Sequence, residues 1–295
     1  MTSRQQRRHT PRAAAQRPPQ DESTDEGGTK GVTPREIEKI EEKSQPRTPV
    51  IYEIVRRLGE EEMCRPLVSL WWSGIAAGLS LSFSLLAQAV LYVHLPDAPW
   101  RLLVTSFGYS VGFLMVVLSR QQLFTENTIT VVLPVMKQFT LSNLGKLARL
   151  WSIVFLANMV GTFFAAVFCS FTPVLTPELR AGMLEISRNM MENGWNEMFF
   201  KGISGGFLVA AMVWLVASTA TAQFQTVTLM SYLIAAGGFT HIVAGSVEAF
   251  MLVVNNQLSI GVMAGSFVAP VLMGNIVGGA ALFALISYAQ VMREI

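Results

Sequence analysis

Ser119-Arg120-Gln121-Gln122-Leu123-Phe124-Thr125-Glu126 interrupts an apolar run near residues 103–136 that is too long for one membrane crossing. Gly237-Gly238-Phe239-Thr240-His241 interrupts a second long run, near 226–254, in the same way. A simple span needs about 20 apolar residues to cross about 30 Å of hydrocarbon. Irregular backbone at that depth persists only where it is buried in protein or lines a cavity. The two interruptions therefore mark where a passage through the bilayer is expected.

Four uninterrupted apolar stretches accompany them, near 67–93, 148–171, 199–221 and 265–290, which makes six in all. The composition agrees, with 51% hydrophobic and 14% charged residues against roughly 25% charged in an average soluble domain. Of the 22 Lys and Arg and 20 Asp and Glu, residues 1–65 hold 13 and 12. A net charge of +2 with mixed signs in the tail excludes a nucleic-acid footprint, which needs basic residues gathered on one folded surface. Cys64 and Cys169 have no ligand-like spacing, so neither a disulfide nor a metal site is expected, and no cofactor motif is present.

Residues 1–47 are polar, with no apolar period, and read as a disordered cytoplasmic tail without an apolar signal segment. Over 48–65, Val50, Ile51, Ile54, Val55 and Leu58 alternate with charged residues at helical spacing, which predicts an amphipathic helix lying against the membrane. Residues 66–292 form the transmembrane domain. Lys43, Arg47, Arg56, Arg57 and Arg65 precede the first span, Lys137, Lys146 and Arg149 follow the second, and Arg293 follows the sixth. By the distribution of basic residues these segments are cytoplasmic, both termini included. The 172–198 connector is then external, with a short surface helix.

The two halves share motifs. Ala157-Asn158-Met159-Val160-Gly161 matches Gly274-Asn275-Ile276-Val277-Gly278, and Phe124-Thr125 matches Phe239-Thr240. Thr125 precedes Asn158 by 33 residues and Thr240 precedes Asn275 by 35. With three spans per copy, the second copy is inverted, as in many transporters. The expected fold is an all-α integral membrane protein: six transmembrane helices in two inverted three-helix repeats, the second and fifth helices broken.

Candidate site residues cluster at the breaks. His241 is the one histidine inside an expected span; it donates a proton or hydrogen bond to a passing anion, or it is a packing residue bonded to Asn158 or Asn275. Thr125 and Thr240 offer hydroxyls to the pore or to freed backbone groups. Leu123, Phe124 and Phe239 are candidates for apolar constrictions. Arg120, Glu126 and Glu248 are charged at membrane depth and need partners or water; an Arg120 to Glu126 pair is one solution. Asn158 and Asn275 either line the pore or cap the broken helices. Gly202-Ile203-Ser204-Gly205 fits the GxSG of intramembrane serine proteases, but Gly-Ser-Gly runs also serve close helix contacts.

Leu123-Phe124-Thr125, Phe239-x-His241 and Asn275 together resemble the formate/nitrite transporter family, over about residues 50–292, with details nearest the YfdC-like branch. The resemblance implies a homopentamer of aquaporin-like protomers in a bacterial inner membrane, each passing small monovalent anions such as formate or nitrite. It also implies that His241 meets the substrate, Thr125 contacts the gating loop, Leu123 and Phe124 form a constriction, and Asn275 lies near the histidine. Three positions depart from the family pattern: Thr240 replaces an acidic residue, Gln122 a small polar one, and Gly206 an asparagine. A neutral-solute channel lacks its Asn-Pro-Ala caps here, and a scaffold that docks a partner through its charged tail is the third class.

Overall fold

Helix boundaries follow the prolines and caps of the sequence. In the computed structural model, residues 33, 35, 36, 46–219 and 221–294 are described; the expectation of a disordered tail over 1–47 falls almost wholly outside them. Within the unit Gln45–Ile295, helix α1 spans Thr48–Cys64 with Pro49 in its first turn. The Arg65-Pro66 pair ends it, because a residue before proline is driven out of the helical region. Helix α2 (Leu67–His94) starts directly after.

The first long run divides into α3 (Arg101–Leu118), α4 (Asn127–Thr130) and α5 (Val132–Lys137), with 119–126 as the break. Helix α6 (Leu141–Phe171) is capped by the Thr140 hydroxyl, which accepts from Asn143 N–H at 3.1 Å. The connector contains the expected helix, α7 (Pro177–Met191), and its Met183 and Leu184 pack with Val247 and Met251. Helix α8 covers Trp195–Ser218. The second long run divides into α9 (Gln223–Ala236) and α10 (Ile242–Val254). Helix α11 covers Ile260–Val291 and widens into π-type turns over Met263–Val268 and Val277–Ala284, for which the sequence carries no signal.

Five of these helices (α2, α3, α6, α8 and α11) are long and apolar enough to cross a membrane, and α10 is a shorter apolar helix. Two helix pairs form the frame, and both close through glycine. A Cβ at Gly78 of α2 would lie 2.4 Å from the Asn158 carbonyl of α6, and one at Gly206 of α8 would lie 2.3 Å from the Asn275 carbonyl of α11. Gly206, where the family pattern has asparagine, is thus the only side chain that this helix spacing admits.

Helix α1 does not lie with its whole apolar stripe against lipid. Ile51, Tyr52 and Val55 are buried against Leu133, Ala210 and Val291, and a Cβ at Gly59 would collide with the Thr130 carbonyl. Only Val50 and Ile54 of the stripe are left exposed. The polar side carries Glu53, which pairs with Arg56 and Arg57 and lies 3.9 Å from Lys137. The bonds from Arg56 and then Arg57 hold the Glu53 carboxyl down at about 2.

Candidate functional site

Each break begins with a left-handed residue. After α3, Arg120 adopts φ +52°, and after α9, Gly238 adopts φ +62°. In both, the next residue donates back across five positions: Gln121 N–H to Val116 C=O at 3.0 Å, and Phe239 N–H to Ile234 C=O at 2.9 Å. This is the bonding of a Schellman helix end. The chain then runs unwound for a few residues, and its polar groups need partners from elsewhere.

Two asparagines supply them. Asn158 Oδ1 accepts from Phe124 N–H at 2.9 Å, and its amide donates to Gly74 C=O at 2.8 Å and Gln122 C=O at 2.9 Å. Asn275 Oδ1 accepts from Ile242 N–H at 2.8 Å, and its amide donates to Gly202 C=O at 2.8 Å and Thr240 C=O at 3.0 Å. Both side chains are fully buried. Asn275 is therefore committed to the backbone of the break and does not face a passage. Equal bonds also fix which positions correspond: Gln122 with Thr240, Leu123 with His241, and Phe124 with Ile242. The Phe-Thr pairs matched in the sequence are three positions out of this register.

His241 caps α10. Its Nδ1 accepts from Ala244 N–H at 3.1 Å, so in the neutral ring the proton is on Nε2, which donates to Thr125 Oγ1 at 2.7 Å. The two breaks thus meet through a single hydrogen bond between residues 1% and 0% exposed. Phe113 packs edge-on against the imidazole, centroids 5.1 Å apart. Neither Asn158 nor Asn275 bonds to the ring, contrary to the packing alternative. Leu123 and Phe124 are buried, and Phe124 is held edge-on between Trp151 and Phe155 of α6.

A cavity of about 570 Å³ reaches His241 from one side, lined also by Phe239, Thr240, Tyr109 and Glu248, with Arg101 and Lys201 among its other lining residues. The Thr240 hydroxyl donates to Met198 C=O at 2.9 Å. Arg101, Thr105 and Tyr109 were not singled out from the sequence, although their four-residue spacing on α3 is the available signal. On the other side, a polar chain runs from Arg65 through Glu62 (3.1 Å) to Gln122 (2.6 Å) and on to Asn127 (3.2 Å). Gln122 thereby ties the end of α1 to the first break.

The Arg120 to Glu126 pair does not form. Arg120 is exposed, because its left-handed backbone turns it away from the helix it ends, and Glu126 Oε1 is buried without a partner. Glu248 pairs with no basic group among the described residues. Ser204 is not bonded to His241, whose Nε2 is engaged by Thr125; Gly202 and Gly205 instead sit against Gly274 and the Thr240 carbonyl. The described residues hold no cluster fit for a metal ion.

The sequence pattern described as Formate/nitrite transporter matches residues 49–289. The chain is 43% identical over 260 residues to inner membrane protein YfdC of Escherichia coli, covering 88% of this chain and 84% of that one. It is 29% identical over 242 residues to the formate channel FocA of Haemophilus influenzae, covering 73% and 84%. A solved structure described as a pentameric formate channel with formate bound superposes with TM-score 0.66 at 19% identity, over 77% of this chain and 98% of the other.

Proposed function

The chain belongs to the formate/nitrite transporter family, and from that premise we propose that it carries small monovalent weak-acid anions, formate among them, through a pore closed at its centre by Thr125 and His241. The observation that carries this reading is the Thr125–His241 bond at the floor of a cavity of about 570 Å³. Its frame is six spans in two inverted repeats: α2, α3 with α4 and α5, and α6; then α8, α9 with α10, and α11. The matching bonds of Asn158 and Asn275 support the repeat. Both termini are cytoplasmic in a bacterial inner membrane, and five protomers assemble, each with its own pore.

Energetics select the form that crosses. Moving an isolated carboxylate into a medium like the buried Leu123–Phe124 region costs tens of kcal/mol. Protonating a carboxylate of pKa about 4 at neutral pH costs about 4 kcal/mol. The neutral acid is the species that passes the constriction. The solute reaches His241 at the amino end of α10, where the helix dipole favours the electron-rich oxygens of the acid. There Nε2–H can leave Thr125 and bond the solute, while Ala244 N–H keeps Nδ1 an acceptor. His241 contributes a hydrogen bond in this arrangement. Donating its single ring proton outright would leave an imidazolate.

Uptake of labelled formate into proteoliposomes tests the reading. Formate enters faster than into empty vesicles, and His241→Phe slows it by about ten- to a hundredfold, as expected when a buried polar group of the passing acid is left without its hydrogen bond. Uptake equal to empty vesicles, or unchanged in His241→Phe, refutes it.

A further inference from the structure

Resting on that reading, we propose that Glu248, not His241, is the proton donor that neutralises the anion before it reaches the constriction. Glu248 lies seven residues beyond His241 on the same face of α10, about 10 Å along the axis. Both line the same cavity. Its side chain is 7% exposed, yet its carboxyl makes no hydrogen bond or ion pair among the described residues. A buried carboxyl without a partner is expensive as an anion and marks a functional position inside a membrane.

The surroundings isolate it from compensating charge. Tyr109 of α3 faces the same cavity, and Arg101 and Lys201 line it as well. Arg101 is engaged by Asp97 at 3.6 Å and stacks at 3.7 Å over the Tyr92 ring, and Lys201 bonds Asn193 Oδ1. Of the helices packed on α10, α6 and α11 line the cavity with no residue and α2 lines it with Gln88 and Tyr92. α7 contributes no charged side chain to the cavity, its Arg188 being turned to Glu185 and Gln257. Asp97 and Tyr92, both held by Arg101, and His241, whose two nitrogens are engaged, are the remaining titratable groups of the lining.

The step balances. An anion drawn in by Arg101 and Lys201 meets the Glu248 carboxyl; the O–H bond of the carboxyl breaks and its proton forms an O–H bond on the anion. The neutral acid moves on to His241, and the carboxylate takes a proton from the water of the cavity. Until it does, its charge repels the next anion, so one proton accompanies each anion.

The test is labelled formate uptake with a trapped pH-sensitive dye, in proteoliposomes of the full chain. Wild-type uptake rises as external pH falls from about 8 to about 5 and acidifies the lumen. Glu248→Gln slows uptake by about a hundredfold, the lower range of a lost acid catalyst, and flattens the pH profile. Glu248→Asp restores both the rate and the acidification. Glu248→Gln running at the wild-type rate with the same acidification overturns the proposal and leaves the transport reading standing. Glu248→Asp as slow as Glu248→Gln, in protein that elutes like wild type, also overturns it. Wild type no faster than empty vesicles overturns the transport reading first.

Discussion

Arg120 shows how a residue can be singled out correctly for the wrong reason. Its charge at membrane depth suggested an ion pair with Glu126, whereas the structure uses its backbone, at φ +52°, to end α3. A left-handed residue other than glycine costs about 1–2 kcal/mol, and the corresponding position at the other break is Gly238. Arg120→Gly is therefore expected to hold or raise stability by up to about 1 kcal/mol, the strain relieved exceeding the flexibility gained by the unfolded chain, while Arg120→Val lowers it. Thermal unfolding in detergent checks both signs; a loss in Arg120→Gly comparable to Arg120→Val shows that the side chain, not the backbone, matters. The approach of Thr125 to His241, by contrast, was only half legible. Each residue stood out at its own break, but no local pattern says that positions 116 apart bond to each other.

At the scale of elements, the breaks were readable because polar and glycine residues inside apolar runs leave few alternatives. Their register was not. Identical Phe-Thr pairs suggested one alignment, while the hydrogen bonds of Asn158 and Asn275 require another, three positions away, because backbone groups and not side-chain identity define equivalence there. The same bonds carry a prediction. Asn275→Ala strands Ile242 N–H and Thr240 C=O, each costing about 1–3 kcal/mol when buried without a partner, and takes from Gly202 C=O only a second bond beside its helix bond. A loss of at least about 2 kcal/mol is expected, with Asn158→Ala similar and Asn275→Asp intermediate, since the acceptor survives and the donors do not. Denaturation followed by tryptophan fluorescence measures it; a loss under about 1 kcal/mol for Asn275→Ala shows that the break holds itself. Helix α1 was legible as amphipathic, but its apolar stripe was assigned to the membrane surface where the protein itself covers Ile51 and Val55, because periodicity reports a buried face and not what buries it.

For the whole molecule, the proposed passage lies inside one protomer, so assembly is not needed to build it, and the outer surface is where assembly must be decided. That surface is apolar: Phe164, Phe168 and Phe171 on α6 are 54–67% exposed, and Leu229 and Leu233 on α9 are exposed too. Lipid tails cover such a belt as well as protein does, so apolar area by itself does not drive helix association in a bilayer, and packing complementarity decides. A closed ring is the arrangement that leaves no unpaired interface. The similar solved channel is pentameric, and the expected particle is a ring of five chains of 32.4 kDa. Native mass spectrometry of the detergent-extracted protein reads the stoichiometry directly, with five copies expected. A single copy that still takes up formate after reconstitution refutes the ring as the working unit while leaving the pore within each protomer intact. A single copy that takes up none counts against both the ring and the transport reading.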